Sequence, residues 1–332
     1  MRAQLVLLAA AALASAASAQ QDDPSLAPYA EIAESVRLAD GRMLHLTCMG
    51  EGAPMVILSA GLGDWGVVWN KVQPAIARTT RVCAWDRAGF GLSDPSPAEQ
   101  TAAASTSDLE QALATRPGPY VIVGHSLGSY ESLLFTDRHR AEVVGMVLID
   151  PSFPDQWNRF ARVAPAFSLA DQQRGSAVMR QCAADLRSGA LGPGTPDSAG
   201  CLAPFPPAYP TALREALAAR RTPEAFETMA SINDSVDESA TLLVDPRRDY
   251  GAMPLVVLTA PERTAPAGAG DDLPAQLPRI AEEIRRGHEE LAALSSRGTL
   301  VAVEGANHGI QQVRPQAVID AVETVIAAAR AR

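Results

Sequence analysis

The chain has 332 residues, and it contains little positive charge and only one lysine, Lys71. Its 28 basic residues are outnumbered by 38 acidic residues, which gives a formal net charge of −10 at pH 7. Because nucleic acids and anionic lipids are themselves negative, such a surface gives them no basic stripe to bind. We therefore expect no nucleic-acid partner.

A long apolar run is also missing after the first 19 residues, so we expect no membrane insertion. Residues 1–19 have the organisation of a cleavable signal peptide. Arg2 supplies a positive charge, residues 5–14 are apolar, and small residues precede a cleavage site after Ala19. The apolar stretch is short for a helix that spans a bilayer. The alternative to a cleavable signal peptide is an uncleaved membrane anchor. We expect a periplasmic or secreted protein.

Cysteine is scarce, and its spacing matches no zinc-binding pattern. The four cysteines are Cys48, Cys83, Cys182 and Cys201. Export permits disulfides, and four cysteines allow three pairings. We favour Cys48–Cys83 and Cys182–Cys201, with four buried thiols as the alternative.

Residues 120–128 read Tyr-Val-Ile-Val-Gly-His-Ser-Leu-Gly, and they are the most informative part of the sequence. An apolar β-branched run predicts a buried strand, and a helical stretch follows at 129–138. The G-x-S-x-G pattern between them is typical of a nucleophile elbow, a sharp turn that needs small residues on either side of the serine. A chance match is the alternative. The pattern predicts that Ser126 is a nucleophile.

A serine hydroxyl needs a general base, and that base needs an orienting group. His308 lies in a loop between the last predicted strand and the last helix, which suits a base. The other histidines are His45 in an early strand, His125 beside the serine and badly directed to take its proton, and His139 and His288, both expected to be solvated. We predict His308 as the base.

The acid of such a triad should lie between the serine and the histidine in the chain. Asp150 ends an apolar strand and precedes a proline, so its side chain must leave the strand end. Glu262 follows the next strand and is the alternative, with Asp271 and Asp272 further along. We favour Asp150.

An oxyanion hole requires backbone donors that point at the reacting oxygen. One is predicted to be the N–H of Leu127, directly after the serine. The other is predicted to be the N–H of Leu62, in the glycine-rich loop at 60–66. An ordinary tight turn is the alternative for that loop.

Predicted strands alternate with predicted helices along most of the chain. The strands are expected at 42–48, 55–59, 80–85, 120–123, 143–149, 255–258 and 300–303, and the helices at 69–78, 107–115, 129–138, 277–294 and 313–331. This alternation predicts an α/β fold with a mostly parallel sheet flanked by helices. Residues 152–250 carry only helical patches, so we expect a helical cap there, inserted into a core formed by 20–151 and 251–332.

From residue 40 to 330 the chain resembles the α/β-hydrolase-fold family, in its capped, single-domain form. The resemblance rests on five segments: 60–63 (Ala-Gly-Leu-Gly), 85–93 (Trp-Asp-Arg-Ala-Gly-Phe-Gly-Leu-Ser), the elbow, 148–151 (Leu-Ile-Asp-Pro) and 305–308 (Gly-Ala-Asn-His). It implies an eight-stranded type of sheet and a structural role for Asp86 and Arg87. The sequence departs from the family in having Ala60-Gly61 where His-Gly is usual. It also lacks the family's Gly-x-x-Asp after the penultimate strand, while a subset of members places the acid at the position of Asp150.

The resemblance is specific for the fold and poorly specific for the substrate. From the candidate triad and the apolar cap we predict a carboxylesterase-like serine hydrolase that uses an acyl-enzyme and needs no metal or cofactor. Its substrate would be a small-molecule ester or lactone of a small to medium apolar acid. Trp65, Trp157, Phe160 and Phe167 are the predicted substrate-contacting residues. An amidase or aminopeptidase, an acyltransferase and a non-catalytic periplasmic binding protein are the alternatives. The serine argues against the related epoxide hydrolases and dehalogenases, which need an aspartate nucleophile at this position.

Overall fold

The structure, a computed structural model, describes residues 23–31, 34–165, 170–192, 194–261 and 272–331. Within them one sheet is formed by β1 (Glu34–Arg37), β2 (Met43–Met49), β3 (Met55–Ser59), β4 (Val82–Trp85), β5 (Tyr120–His125), β6 (Val143–Ile149), β7 (Leu255–Thr259) and β8 (Gly298–Ala302). The strand order is β1-β2-β4-β3-β5-β6-β7-β8. The first two strands pair antiparallel, and the remaining six run parallel. The predicted α/β fold class is confirmed.

Helices connect the parallel strands. They are α1 (Gln73–Ile76), α2 (Ala102–Leu113), α3 (Gly128–Arg138), α4 (Gln156–Val163), α5 (Ala170–Ser188), α6 (Thr211–Ala219), α7 (Pro223–Asp234), α8 (Val236–Leu242), α9 (Leu273–Ala292), α10 (Ile310–Val313) and α11 (Pro315–Arg330). Two 3-10 helices lie at Pro24–Ala30 and Gly66–Trp69. Helices α4 to α8 occupy the segment between β6 and β7, and its described part contains no strand.

The sheet is covered on both faces, so its central strands are mostly apolar, with the polar residues Ser59 and His125 at their carboxyl ends. Alternate residues of a strand point to opposite faces. Ile57 and Ile122 therefore belong to a core that also contains apolar residues of α2, α3 and α9. Val56 and Val121 belong to a second core, which contains apolar residues of α1 and α11.

The strand register brings several loops to one edge of the sheet. Ser59 of β3 pairs with Gly124 of β5, and His125 pairs with Ile149 of β6. Because β4 and β5 lie on opposite sides of β3, the connections leaving these strands diverge and open a crevice at their carboxyl ends. The loops that follow Ser59, His125 and Ile149 meet at that crevice.

Several element boundaries differ from the sequence-based expectations. Strand β1 and helix α8 were not predicted, because both are short and lack a strong apolar period. Helix α2 begins five residues earlier than expected, where the Thr101 side chain caps it by accepting a hydrogen bond from the N–H of Ala104. The expected helix at 69–78 is instead a 3-10 turn followed by the single turn of α1.

Both favoured disulfides are present. Cys48 and Cys83 face each other in the antiparallel pair β2 and β4. Cys182 and Cys201 are 19 residues apart and join α5 to the segment before α6. Both lie in a small apolar cluster against α7. Over the described part of the chain, no helix has the length and hydropathy needed to cross a membrane.

Replacing Cys182 and Cys201 together by alanine should destabilise the protein by about 3 kcal/mol, because the open loop gains conformational entropy in the unfolded chain. Urea unfolding of the variant and the wild type, both without reductant, measures this difference. With excess reductant both disulfides open in the wild type, so it should become at most as stable as the variant. An unchanged urea midpoint in the double variant would contradict this account.

Candidate active site

The predicted nucleophile Ser126 lies at the sharp turn between β5 and α3. Its φ of +50° is in the left-handed region, which is strained for a residue with a side chain. Its N–H donates to the carbonyl of Ile149 at 3.1 Å, and its carbonyl accepts from the N–H of Ser152 at 3.1 Å. These contacts to β6 and the loop after it stabilise the turn and leave the side chain partly exposed at the crevice.

The two glycines of the motif are required by close packing. A Cβ at Gly124 would lie 2.4 Å from Ser132 Oγ, and one at Gly128 would lie 2.3 Å from the carbonyl oxygen of Ser59. Neither position can hold a larger residue unless α3 moves away from the sheet. The G-x-S-x-G pattern therefore has the steric cause that was expected from sequence.

The predicted base and acid are in direct contact. His308 Nδ1 and Asp150 Oδ2 are 2.5 Å apart. Asp150 has φ of +39°, is 2% exposed, and accepts a second hydrogen bond at Oδ1 from the N–H of Ala260 at 3.0 Å. Since the Asp150 carboxylate accepts a hydrogen bond from the Nδ1–H of His308, the other ring nitrogen, Nε2, keeps a lone pair that can accept a proton. The alternatives Glu262 and Asp271 lie outside the described residues, and Asp272 is exposed at the start of α9.

The loop that carries Leu62 is oriented by a buried guanidinium. Arg87 donates to the carbonyls of Ala60 and Gly61 at 2.5 and 3.0 Å, and it pairs with the buried Glu131. A peptide unit is planar, and its N–H points away from its C=O. With the Gly61 carbonyl directed at Arg87, the N–H of Leu62 is directed to the opposite side. This contact gives the predicted oxyanion loop a fixed orientation.

His125 links three parts of the candidate site. Its Nε2 lies 2.9 Å from the backbone oxygen of His308, and Nδ1 lies 3.2 Å from Gln311 Nε2. Because a carbonyl oxygen only accepts, Nε2 carries the proton and Nδ1 accepts from the Gln311 amide. The ring also packs against Gly61, where a Cβ would lie 2.9 Å from Nδ1. Burial, together with the nearby His308, lowers the pKa of His125 to about 3, so its tautomer persists at neutral pH.

A cavity of about 230 Å³ lies in front of these groups. Its lining residues are Leu62, Ser126, Leu127, Tyr130, Asp150, Pro151, Ser152, Gln156, Trp157, Phe160, Val236, Ile284, His288 and His308. The structure therefore brings together the predicted triad, both predicted oxyanion residues, and two of the four predicted aromatic residues. The remaining two are Trp65 and Phe167.

Trp65 does not line this cavity, so the expectation that it lies there is wrong, and its contact with a substrate stays a prediction. It lines a neighbouring cavity of about 240 Å³ together with Phe90, Phe205 and Phe226. The cause is steric: the ring lies over the backbone of Gly91, where a Cβ would be only 2.7 Å from the ring. Phe167 lies outside the described residues.

His288 was expected to be solvated, and that expectation is also wrong. It is 1% exposed and lines the cavity. Its Nδ1 lies 2.8 Å from Thr259 Oγ1, and its Nε2 lies 2.9 Å from the carbonyl oxygen of Pro151. It thus joins the ends of β6 and β7 on either side of Asp150. The spacing of Ile280, Ile284, His288 and Leu291 along one helical face was the signal that could have located it.

Comparison with known proteins agrees with this fold. The model of the Alpha/beta hydrolase family matches residues 56–321, and the chain belongs to that family. Among solved structures, a thermophilic esterase from Thermogutta terrifontis aligns with a TM-score of 0.58 and 18% identity, covering 90% of this chain and 99% of the esterase. The epoxide hydrolase CorEH aligns with a TM-score of 0.57 and 18% identity, covering 89% and 98%. At 18% sequence identity, the similarity to these two structures shows a shared fold and no more.

Curated relatives match over shorter stretches. The protein YqjL of Bacillus subtilis is 32% identical over 108 residues, 32% of this chain and 43% of YqjL. A protein of Enterobacter cloacae named "Putative carbamate hydrolase RutD" is 40% identical over 81 residues, 24% of this chain and 30% of that protein. The chain thus spans less than half the length of these relatives.

The low pKa of His125 predicts a pH-dependent stability difference. Between about pH 6.5, its value in an unfolded chain, and pH 3, the unfolded state binds a proton that the folded state does not. Lowering the pH through this window should therefore reduce the free energy of unfolding by about 1.4 kcal/mol per pH unit. The His125→Gln variant has no imidazole at this position, so its free energy of unfolding does not fall in this way. We expect the variant to be less stable than wild type at pH 7, and this difference in the free energy of unfolding should shrink by about 2 to 3 kcal/mol from pH 7 to 4.5.

Urea unfolding of both proteins at the two pH values measures the difference. His139→Gln, which removes a more exposed histidine beyond the end of α3, is the control and should not reproduce the narrowing. A gap between wild type and His125→Gln that stays constant with pH would mean that His125 is not held neutral.

Proposed function

We propose that the protein is a serine hydrolase that cleaves a carboxylic ester or lactone of a small to medium apolar acid. The observation that carries the proposal is the contact between His308 and Asp150 at the edge of the cavity that Ser126 also lines. Three side chains from different loops converge there, in the chain order of an α/β-hydrolase triad. Membership of the hydrolase family supports the same reading.

In the proposed mechanism, His308 Nε2 takes the proton of Ser126 as the serine oxygen attacks the carbonyl carbon. The Asp150 carboxylate holds the imidazole in the required tautomer and stabilises its charged form. The N–H groups of Leu62 and Leu127 stabilise the oxyanion. His308 then protonates the departing alcohol, and the ester carbon remains bonded to Ser126.

Deacylation repeats these steps with water. His308 takes a proton from water as the water oxygen attacks the acyl carbon, and it returns that proton to Ser126 as the acid leaves. The His308 side chain is 56% exposed, so water can reach it without displacing protein groups. Each residue of the triad is regenerated, and the proposal needs no metal or organic cofactor.

The helices between β6 and β7 are proposed to form the cap of this site. Gln156, Trp157, Phe160 and Val236 belong to that segment and line the cavity. They give it a largely apolar wall, which suits an apolar acyl group.

We also propose that residues 1–19 direct export. The two disulfides are compatible with an oxidising compartment.

An ester is favoured over an amide with a free amine for an electrostatic reason. Among the described residues that line the cavity, Asp150 is the only carboxylate, and its two oxygens contact His308 and Ala260. The described lining residues thus offer no second carboxylate to an ammonium group. The similarity to RutD makes cleavage of a carbamate the second candidate, since it needs the same triad.

Turnover of p-nitrophenyl esters tests the proposal. The cavity holds about eight liquid-water volumes, so we expect best turnover for acyl groups of up to about six carbons and a decline for longer ones. Ser126→Ala should lower kcat more than about 10³-fold. Activity that survives in this variant, or no turnover of any ester by the wild type, would contradict the proposal.

The choice of acid is tested by two isosteric substitutions. Asp150→Asn should lower kcat by about 10³- to 10⁴-fold, because the amide cannot hold the imidazole in the useful tautomer. Glu262→Gln, the matched control at the alternative position, should lose far less. Circular dichroism of both variants checks that they fold. The reverse order of activities would assign the acid to Glu262.

A further inference from the structure

The catalytic cavity has a polar group that the proposed mechanism does not use. Gln156 is the first residue of α4, lines the cavity, and is only 9% exposed. Its neighbours on the same wall are Trp157, Phe160 and Ile284. A buried amide among apolar groups is costly unless its donor and acceptor atoms are both satisfied.

The orientation of this amide follows from its partner. One terminal atom lies 3.2 Å from the backbone nitrogen of Phe153. Since that backbone N–H is a donor, the amide atom that faces it is the oxygen, Oε1. The NH₂ group is therefore on the other branch, and no described residue accepts a hydrogen bond from it.

The position of Gln156 is also fixed by its surroundings. The preceding residue, Asp155, donates its N–H to the carbonyl of Ala240 in α8. Phe153 is 1% exposed and packs against Gly287, where a Cβ would lie 2.4 Å from the ring. The amide is thus held by α4, α8 and α9, and it is preorganised to donate into the cavity.

We propose that Gln156 selects substrates whose acyl part carries a hydrogen-bond acceptor, such as an ether or keto oxygen, a few atoms from the scissile carbonyl. This inference rests on the proposed esterase function and names its substrate class: short oxygen-containing acyl esters. A plain alkyl chain of the same size fills the cavity but leaves the Gln156 NH₂ group without a partner. The site then discriminates against that chain.

Matched ester pairs test this. Each pair replaces one methylene by an ether oxygen: p-nitrophenyl butanoate against methoxyacetate, pentanoate against 3-methoxypropanoate, and hexanoate against 4-methoxybutanoate. Values of kcat/KM are corrected for the alkaline hydrolysis rate of each ester. We expect wild-type protein to prefer the oxygen ester by about tenfold in at least one pair.

Two variants locate the source of the preference. Gln156→Leu removes the donor and should abolish it. Gln156→Glu keeps an oxygen for the N–H of Phe153 but presents a second acceptor to the cavity, so it should abolish or reverse the preference at pH 8. The ratio is taken within each variant, so a general loss of activity cancels. Gln316→Leu, at an exposed glutamine of α11, should keep the wild-type ratio.

The outcomes separate this inference from the function on which it rests. If wild type hydrolyses p-nitrophenyl acetate but shows no oxygen preference, or if both Gln156 variants keep that preference, the inference is wrong and the esterase proposal stands. If wild type hydrolyses no ester at all, the esterase proposal fails and the inference fails with it.

Discussion

The candidate site depends on the parallel pairing of β3, β5, β6 and β7. Parallel strands end at the same edge of a sheet, so the residues that follow them must meet there. The hydrogen bond from the N–H of Ser126 to the carbonyl of Ile149 continues this pairing one residue beyond β5. Ser126 and Asp150 then both leave their strands with positive φ. A shift of β6 by one residue would turn Asp150 away from His308.

The histidines near this edge differ in environment, and the environment decides what each can do. The His308 side chain is more than half exposed, and one of its ring nitrogens has no hydrogen-bond partner among the described residues, so it suits proton transfer. His125 and His288 are buried, and each has both ring nitrogens hydrogen-bonded. They hold the backbone around the candidate triad. Burial in a low-dielectric interior keeps His125 neutral, and so the orientation it imposes does not change with pH near neutrality.

The sequence was a good guide wherever a local pattern has one physical cause. Gly124 and Gly128 are required by backbone contacts, and their spacing around a serine after an apolar strand predicted the elbow. It was a poor guide to side-chain direction. Trp65 was expected in the catalytic cavity but packs over Gly91, and His288 was expected in solvent but lies inside. Such directions depend on which distant element occupies the neighbouring space, and no local pattern carries that information.

The sequence by itself determined the α/β architecture, the order of the candidate residues along the chain, and the positions of the elbow and of the loop that bears His308. Hydrophobic periodicity and glycine spacing are local properties of the chain, so they can be recognised before the fold is known. Only the tertiary structure decided that Asp150 contacts His308 across 158 residues, that Arg87 orients the loop of Leu62, and that Gln156 lines the cavity. Each of these depends on strand register and helix packing, which bring together residues that are far apart in the chain.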